Sequence, residues 1–480
     1  MMLIRRLAHA GGDTLGMRQP TTAPEFDPQL IARYDVAGPR YTSYPTAPQF
    51  HDGFGEAALR RAVQASNEHA GPLSIYVHVP FCFSPCFYCG CNRVITRDAR
   101  KATQYLDHLE KELTLLGPLF ERGRPVRQLH LGGGTPNFFD IEHMQRLFQL
   151  LSRYFDMQWS PTREWGIEID PRDVDASYMH ELGRLGFNRV SVGIQDFDIA
   201  VQKAVNRVQS VVQTANVLAA ARRSGFTSAS VDLIYGLPRQ TLEGFARTLD
   251  DVLALSPDRI AIYGYAHLPH LFKAQQQIDE GELPDASLRL ALLGRAWETL
   301  TAAGYVYIGM DHFARADDEL ARAQREGSLQ RNFQGYSTHG DCDIVGLGVS
   351  AIGRIANTYS QNARDLISYY AALDAGQLPV TKGIELSRDD LVRRELIGEL
   401  MCHGEVNMQQ FGDRHGFVFD EYFAQDLRGL QPLVDDGLVS LCAQTIRVTP
   451  RGRPMLRNIA MCFDAYLGKG ASTPRYSRTI

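Results

Sequence analysis

Four of the chain's eight cysteines, Cys82, Cys86, Cys89 and Cys91, lie within ten residues of one another, directly after the strand-like run Ser74 to Val79. Three chemistries use thiols at the spacing C-x3-C-x2-C-x-C. Disulfides between such close neighbours are strained, and the remaining cysteines, Cys342, Cys402, Cys442 and Cys462, are scattered singly. Structural zinc draws two ligand pairs from separated knuckles, and no second Cys or Cys/His pair lies nearby. The third reading is an iron–sulfur cluster held by Cys82, Cys86 and Cys89 on one tight loop. Three thiolates on four irons leave one iron open to a small molecule. Cys91 is then left for substrate-side chemistry, a structural role or rescue ligation.

Other residues of suitable type follow at strand-like ends. The run Gly132-Gly133-Gly134-Thr135-Pro136 permits positive φ and close backbone approach, in a tight turn or around a ligand. Glu168 ends the third apolar run, where a buried carboxylate must find hydrogen-bond partners. His78, on the first strand, reads more readily as a satisfied core histidine than as a ligand.

Positioning these residues requires a regular frame. Strand candidates are Leu73 to Val79, Gln128 to Leu131, Glu164 to Asp170, Arg189 to Ile194, Ser228 to Ile234 and Arg259 to Tyr265. Helical patterns separate them at Lys101 to Leu116, Ile141 to Tyr154, Ala176 to Leu185, Val211 to Arg223 and Leu242 to Leu255. Such alternation predicts an α/β fold of βαβ units around a parallel sheet or barrel, with functional loops at the strand C-terminal ends. The pattern loosens at Ala371 to Lys382, and Ser387 with Asp389 and Asp390 then marks a capped helix start. Beyond it the chain reads as mainly helical, with a hairpin at Gly437 to Val448. Asp420, Glu421 and Asp426 on the adjoining segment would repel phosphates, so this winged-helix pattern predicts packing and not nucleic-acid binding.

The 480 residues suffice for more than one domain. A net charge of −5 gives no nucleic-acid footprint. No apolar run approaches the roughly 20 residues that span a bilayer, so no membrane insertion is expected. Met1 to Pro20 carries Arg5, Arg6 and Arg18 without a secretory apolar core, and reads as a disordered tail with a weak organelle-presequence pattern. Unpaired cysteines and an oxygen-sensitive cluster point to a reducing cytoplasm.

The cysteine triplet, with Tyr88 just before its third member, resembles the signature of the radical S-adenosylmethionine (SAM) enzymes. The resemblance narrows at Gly38-Pro39-Arg40-Tyr41-Thr42-Ser43-Tyr44-Pro45, Tyr76-Val77-His78-Val79-Pro80-Phe81, Cys89-Gly90-Cys91-Asn92, Val192-Gly193-Ile194-Gln195-Asp196-Phe197, Asp232-Leu233-Ile234-Tyr235-Gly236-Leu237-Pro238 and Arg331-Asn332-Phe333-Gln334-Gly335-Tyr336. These are similar to oxygen-independent coproporphyrinogen III oxidase, from about residue 28 onward. The related haem-binding chaperones typically lack both the C-G-C-N ending and the N-terminal segment.

The resemblance implies a partial (β/α)6-type radical SAM barrel at 71–380, an N-terminal closing segment at 28–70 and a mainly helical C-terminal domain at 381–480, after an extension at 1–27. It implies one 4Fe-4S cluster on Cys82, Cys86 and Cys89, and two SAM molecules. The first SAM falls to Tyr76, Gly133, Glu168 and Ile352. The second falls to Tyr88, Gly134, Thr135, Gln195, Arg207, Asp232 and Ala266. The implied reaction converts two propionates of coproporphyrinogen III to vinyls, giving protoporphyrinogen IX. In it a reduced cluster cleaves SAM to a 5′-deoxyadenosyl radical, which takes a propionate β-hydrogen before carbon dioxide and an electron leave. Arg40, and after it Arg331, are candidates to pair with substrate carboxylates, and Cys91 is a candidate catalytic thiol. A monomer served by an unidentified electron donor and acceptor is expected.

Overall fold

The computed structural model describes residues 24–340, 342–442 and 444–467, together with Arg478. Nearly all of the expected extension at 1–27 lies outside the described residues.

Six strands form in the expected places: β1 (Leu73–Val79), β2 (Val126–Gly133), β3 (Glu164–Ile169), β4 (Arg189–Gln195), β5 (Ser228–Tyr235) and β6 (Arg259–Gly264). They pair in sequence order, all parallel. The helices between them are Arg100–Leu116, Ile141–Tyr154, Ala176–Leu185, Val211–Arg223 and Leu242–Leu255. Their starts are set locally: Asp140 accepts from the His143 amide, and Ser210 with Gln213 closes a capping box.

Alternation along each strand decides what the barrel interior contains, because successive side chains point to opposite faces. In β3, Trp165, Ile167 and Ile169 are buried beneath the helices, while Glu164, Gly166 and Glu168 line an internal space of about 190 Å³. In β4, Val190, Val192 and Ile194 are buried while Ser191 and its alternates face inward. The same phase brings His130, Asp232 and Tyr263 inside. One face of each strand is therefore apolar packing and the other is polar equipment.

Six further strands extend the sheet: β7 (Tyr305–Gly309), β8 (His312–Arg315), β9 (Asp343–Leu347), β10 (Ile352–Ile355), β11 (Thr358–Asn362) and β12 (Val380–Glu385). The order is β12-β11-β10-β9-β1-β2-β3-β4-β5-β6-β8-β7, so the end strands do not meet and the barrel is only partly closed. β9 runs parallel to β1; β7, β8 and β10 to β12 pair antiparallel. The stretch that loosens in the sequence, Ala371 to Lys382, covers the end of helix Leu366–Asp374, a turn at Gly376 and the start of the edge strand β12, which pairs with β11.

A second core gathers the C-terminal helices. Ser387 and Asp390 form a capping box on helix Arg388–His403, whose Leu396, Ile397 and Leu400 are buried. Val439–Cys442 and Thr445–Val448 form the expected hairpin, joined by Glu405–Asn407 into a three-stranded sheet. Ile31, Tyr41 and Tyr44 of the N-terminal segment belong to this same core, against Phe463 and Leu456. Helix Glu56–His69 instead packs Leu59 and Val63 onto the barrel. Among the described residues no helix is long and apolar enough to cross a membrane.

Candidate active site

The cysteine loop leaves the C-terminal end of β1 and is tied down by backbone bonds. The Thr96 amide donates to the Cys82 carbonyl at 3.0 Å and the Cys89 amide to the Cys86 carbonyl at 3.3 Å. Arg93 laces the loop together by donating to the carbonyls of Cys86 at 3.1 Å, Cys89 at 2.9 Å and Cys91 at 3.4 Å. Cys82 and Cys86 are buried, Cys89 is half-buried and Cys91 is exposed. The thiols are surrounded by donors: Thr135 Oγ1 lies 3.2 Å from Cys82 Sγ, Arg207 Nη1 3.5 Å from Cys86 Sγ, and the Cys91 amide 3.4 Å from Cys89 Sγ.

The loop faces a cavity of about 290 Å³. Tyr88, Cys91, Gly133, Gly134 and Thr135 line it. Glu168, Gln195, Arg207 and Asp232, from four further stretches of chain, line it too. Gly133 has φ +116°, and a Cβ there would meet the His78 ring at 2.7 Å. At Gly134 it would meet the Pro80 and Phe81 backbone at 2.8 Å, so neither position admits a side chain. Gln195 also sits at positive φ, 67°, where the β4–β5 register shifts. Its side chain keeps the inward phase of Ser191 and Gly193 and lines the same cavity.

Electrostatics differentiate the polar groups. Arg207 donates to Asp170 at 3.1 Å and to the Gly193 carbonyl at 2.7 Å, and its Nε is buried with no protein partner. Asp170 is also forked by Arg172. Burial opposes the Glu168 charge, but His130 Nε2, at 3.1 Å, together with the Gly133 amide and His78, holds the carboxyl below its usual range. Burial and then the Glu168 charge push Asp232 up to about 7, although Ser191 donates to it at 3.1 Å.

Not every expected residue joins this cavity. Tyr76 and Ile352 line a neighbouring space of about 270 Å³, which reaches Glu168 from the other side. Ala266 stands behind Tyr88, and buried Gln275 ties the two backbones by donating to both carbonyls, at 3.1 and 2.9 Å. Arg40 pairs with Asp311 and lies 5.5 Å from the centre of the Tyr263 ring. In this structure a protein carboxylate occupies the place expected for a substrate carboxylate. His78 bonds Tyr76 and the Asn92 carbonyl, in keeping with a core histidine.

A model of the radical SAM superfamily matches residues 76–252, and the HemN C-terminal domain matches residues 386–455. The chain is 48% identical over 455 residues to the oxygen-independent coproporphyrinogen III oxidase of Pseudomonas aeruginosa, covering 95% of this chain and 99% of that one. The Escherichia coli protein of the same description is 48% identical over 456 residues, again covering 95% and 99%. A solved structure, described as coproporphyrinogen III oxidase from Escherichia coli and a radical SAM enzyme, superposes with a TM-score of 0.88 at 46% identity, covering 93% of this chain and 100% of that one. This chain belongs to the oxygen-independent coproporphyrinogen III oxidase family.

Family membership implies an iron–sulfur cluster and SAM, and the residues present fit both. Three unbridged thiols on one loop face basic and hydroxyl donors suited to anionic sulfur. Among the described residues no three His, Cys, Asp or Glu groups gather closely enough for a single ion. A multi-iron cluster is wider than an ion and needs wider-set thiols. The oxidase site also uses residues that motif reading passed over: Arg93, Asp170, Arg172, His130 and Gln275. Strand alternation would have flagged His130, since Gln128, His130 and Gly132 share its inward phase. Nothing local marks Arg93 or Gln275, which act by reaching backbone carbonyls.

Proposed function

We infer that this chain performs the anaerobic oxidative decarboxylation of two propionate side chains of coproporphyrinogen III, giving the vinyl groups of protoporphyrinogen IX in haem biosynthesis. The observation that carries the reading is the convergence of the three-thiol loop with Glu168, Gln195, Arg207 and Asp232 on one cavity, in a chain of this family. Cys82, Cys86 and Cys89 would hold a 4Fe-4S cluster, which with SAM supplies one-electron radical chemistry when bound.

The chain's own residues bind, orient and shield. Two spaces meet at Glu168, of about 290 and 270 Å³, which supports two SAM molecules and not one. Tyr76, Gly133, Glu168 and Ile352 suit the first. Glu168 offers a charged acceptor for hydroxyls, and Tyr76 stacks on His130 with ring centres 6.0 Å apart. Tyr88, Gly134, Thr135, Gln195, Arg207, Asp232 and Ala266 suit the second, where buried Arg207 is positioned for a carboxylate. Arg40 ties the N-terminal segment to the β7–β8 turn through Asp311 and lies beside Tyr263 of β6, where the segment would limit the entry of water. Cys91 is assigned no cluster bond; the residue is exposed and lines the same cavity, its thiol beside that of Cys89.

The test is anaerobic incubation of the reconstituted protein with SAM, a reductant and coproporphyrinogen III. Protoporphyrinogen and 5′-deoxyadenosine are expected together, and equilibrium dialysis should count two SAM per chain. SAM cleavage without any tetrapyrrole product would reject the substrate; a plateau at one SAM would reject the second site.

A further inference from the structure

A cavity of about 910 Å³ lies where the N-terminal segment, the hairpin Gln330–Ser337 and helix Arg388–His403 meet. Its volume is near the top of the range of about 300–1,000 Å³ that small-molecule sites occupy. Arg331 from the hairpin, Arg354 from β10 and Arg394 from the helix all line it. Arg354 is committed to the protein, donating to the carbonyls of Gly340 and Cys342. The other two are not. Among the described residues, Nε and Nη1 of Arg331 and Nη1 of Arg394 are buried with no hydrogen-bond partner.

Among the described residues, the acids on this wall pair with other arginines. Arg414 engages both Glu395 and Glu399, and Arg447 engages Glu405. Arg331 gains only the Tyr336 ring, 4.7 Å away, and a weak bond at 3.4 Å to the Arg40 carbonyl. Buried donors of guanidinium groups left unmade are costly, and gathering like charges adds to the cost. An anionic ligand with at least two carboxylates removes both penalties at once.

The cavity's position says how such a ligand would lie. Phe333 and Ile344 wall both this cavity and the space that holds Tyr76, Glu168 and Ile352. A large ligand seated here with its carboxylates on the arginines would turn its opposite edge toward that space. We propose that Arg331 and Arg394 form a carboxylate-binding subsite that grips the propionates of the tetrapyrrole that are kept, while the edge to be decarboxylated faces Glu168. The proposal rests on the substrate class inferred above. It makes these two arginines specificity-determining residues on parts of the chain 63 positions apart.

The probe is coproporphyrin III, the oxidised tetracarboxylate that cannot react, titrated by fluorescence into the reconstituted holoprotein. Arg331→Gln and Arg394→Gln should each weaken its binding by roughly tenfold, the loss of one charge-assisted hydrogen bond. KM for coproporphyrinogen III should rise by a similar factor, with iron content and SAM affinity unchanged. Unchanged probe binding and KM in both variants, in a protein whose wild type makes product, overturns the subsite. Should a Gln variant fail to fold, Arg394→Lys decides: it keeps the charge without the fork, so a several-fold loss supports the subsite and wild-type binding rejects it. If the wild type binds the probe through these arginines yet makes no protoporphyrinogen, the subsite stands and the reaction reading falls.

Discussion

The strand-end site and the arginine-lined junction are built from opposite materials. At the strand ends, most contributors come in short runs, Cys82 to Cys91 and Gly132 to Thr135, and the charges are paired, Arg207 with Asp170 and Glu168 with His130, although one buried nitrogen each of Arg93 and Arg207 is left over. At the junction, single residues from distant elements meet, and buried guanidinium nitrogens stay unanswered. The first region is arranged to hold cofactors whose ligands must be fixed in advance. The second is arranged to be completed by what it binds. A site's self-satisfaction, and not its polarity, separates machinery from reception.

The sharpest way to break that contrast is at the thiols. Ala in place of Cys82, Cys86 or Cys89 should abolish iron retention and decarboxylation, whereas Cys91→Ala should keep its iron, since three thiolates complete the cluster. Iron content and visible absorbance after anaerobic reconstitution read this directly. Equal loss in Cys91→Ala would mean that the loop uses all four cysteines. Next in size is Glu168→Ala, which removes the charged acceptor that two spaces share. SAM affinity should fall by about 1.5–3 kcal/mol, the worth of a hydrogen bond to a charged group. Calorimetry returning the wild-type affinity would take Glu168 out of the cofactor site.

Legibility in the sequence follows the same division. β1 to β6 and their helices were readable because buried parallel strands run as Val- and Ile-rich stretches between helices of clear period. β7, β8 and β10 to β12 were not, because short antiparallel strands such as His312–Arg315 carry no pattern until a partner is beside them, and the five-residue parallel β9 is too short to stand out alone. The cysteine loop and the glycine run declared themselves by spacing. Asp311 beside Arg40, and Arg394 beside Arg354, are consequences of topology alone. The N-terminal segment shows the cost of reading linearly. Removing Met1 to Pro45 to isolate a lid would also strip Ile31, Tyr41 and Tyr44 from the second core. Side-chain changes are the cleaner probe.

Arg40→Ala and Asp311→Asn should therefore be compared singly and together. Each should lower decarboxylation by on the order of tenfold while iron content and SAM cleavage persist, because a loosened segment misplaces substrate without touching the cofactors. The double variant should be little worse than either single one, as for residues that act as a unit. Fully additive losses would show that Arg40 serves the reaction by some route other than Asp311.

The smallest expected effect concerns Asp232, the one strand-end carboxyl that the protein leaves poised near neutrality. Burial, reinforced by the Glu168 charge, raises it to about 7 from an ordinary 3.8. In the SAM-free holoprotein the carboxyl thus holds its proton more tightly when folded than when unfolded. The stability this confers is full below about 3.8, declines as pH rises, and is gone above about 7. Melting temperatures of wild type and Asp232→Asn, measured from pH 5 to 8.5, should therefore draw apart in the acid range in favour of wild type and show a constant difference above pH 7. Binding of a cationic ligand should follow the reverse course. The acceptor becomes an anion only as the pH passes 7, so SAM affinity at this position should rise with pH in wild type and stay level in the Asn variant. A wild-type affinity already level from pH 5.5 to 8.5 would mean that Asp232 is ionised throughout, and that the Ser191 hydroxyl and the nearby His130 satisfy its charge as fully as His130 does that of Glu168.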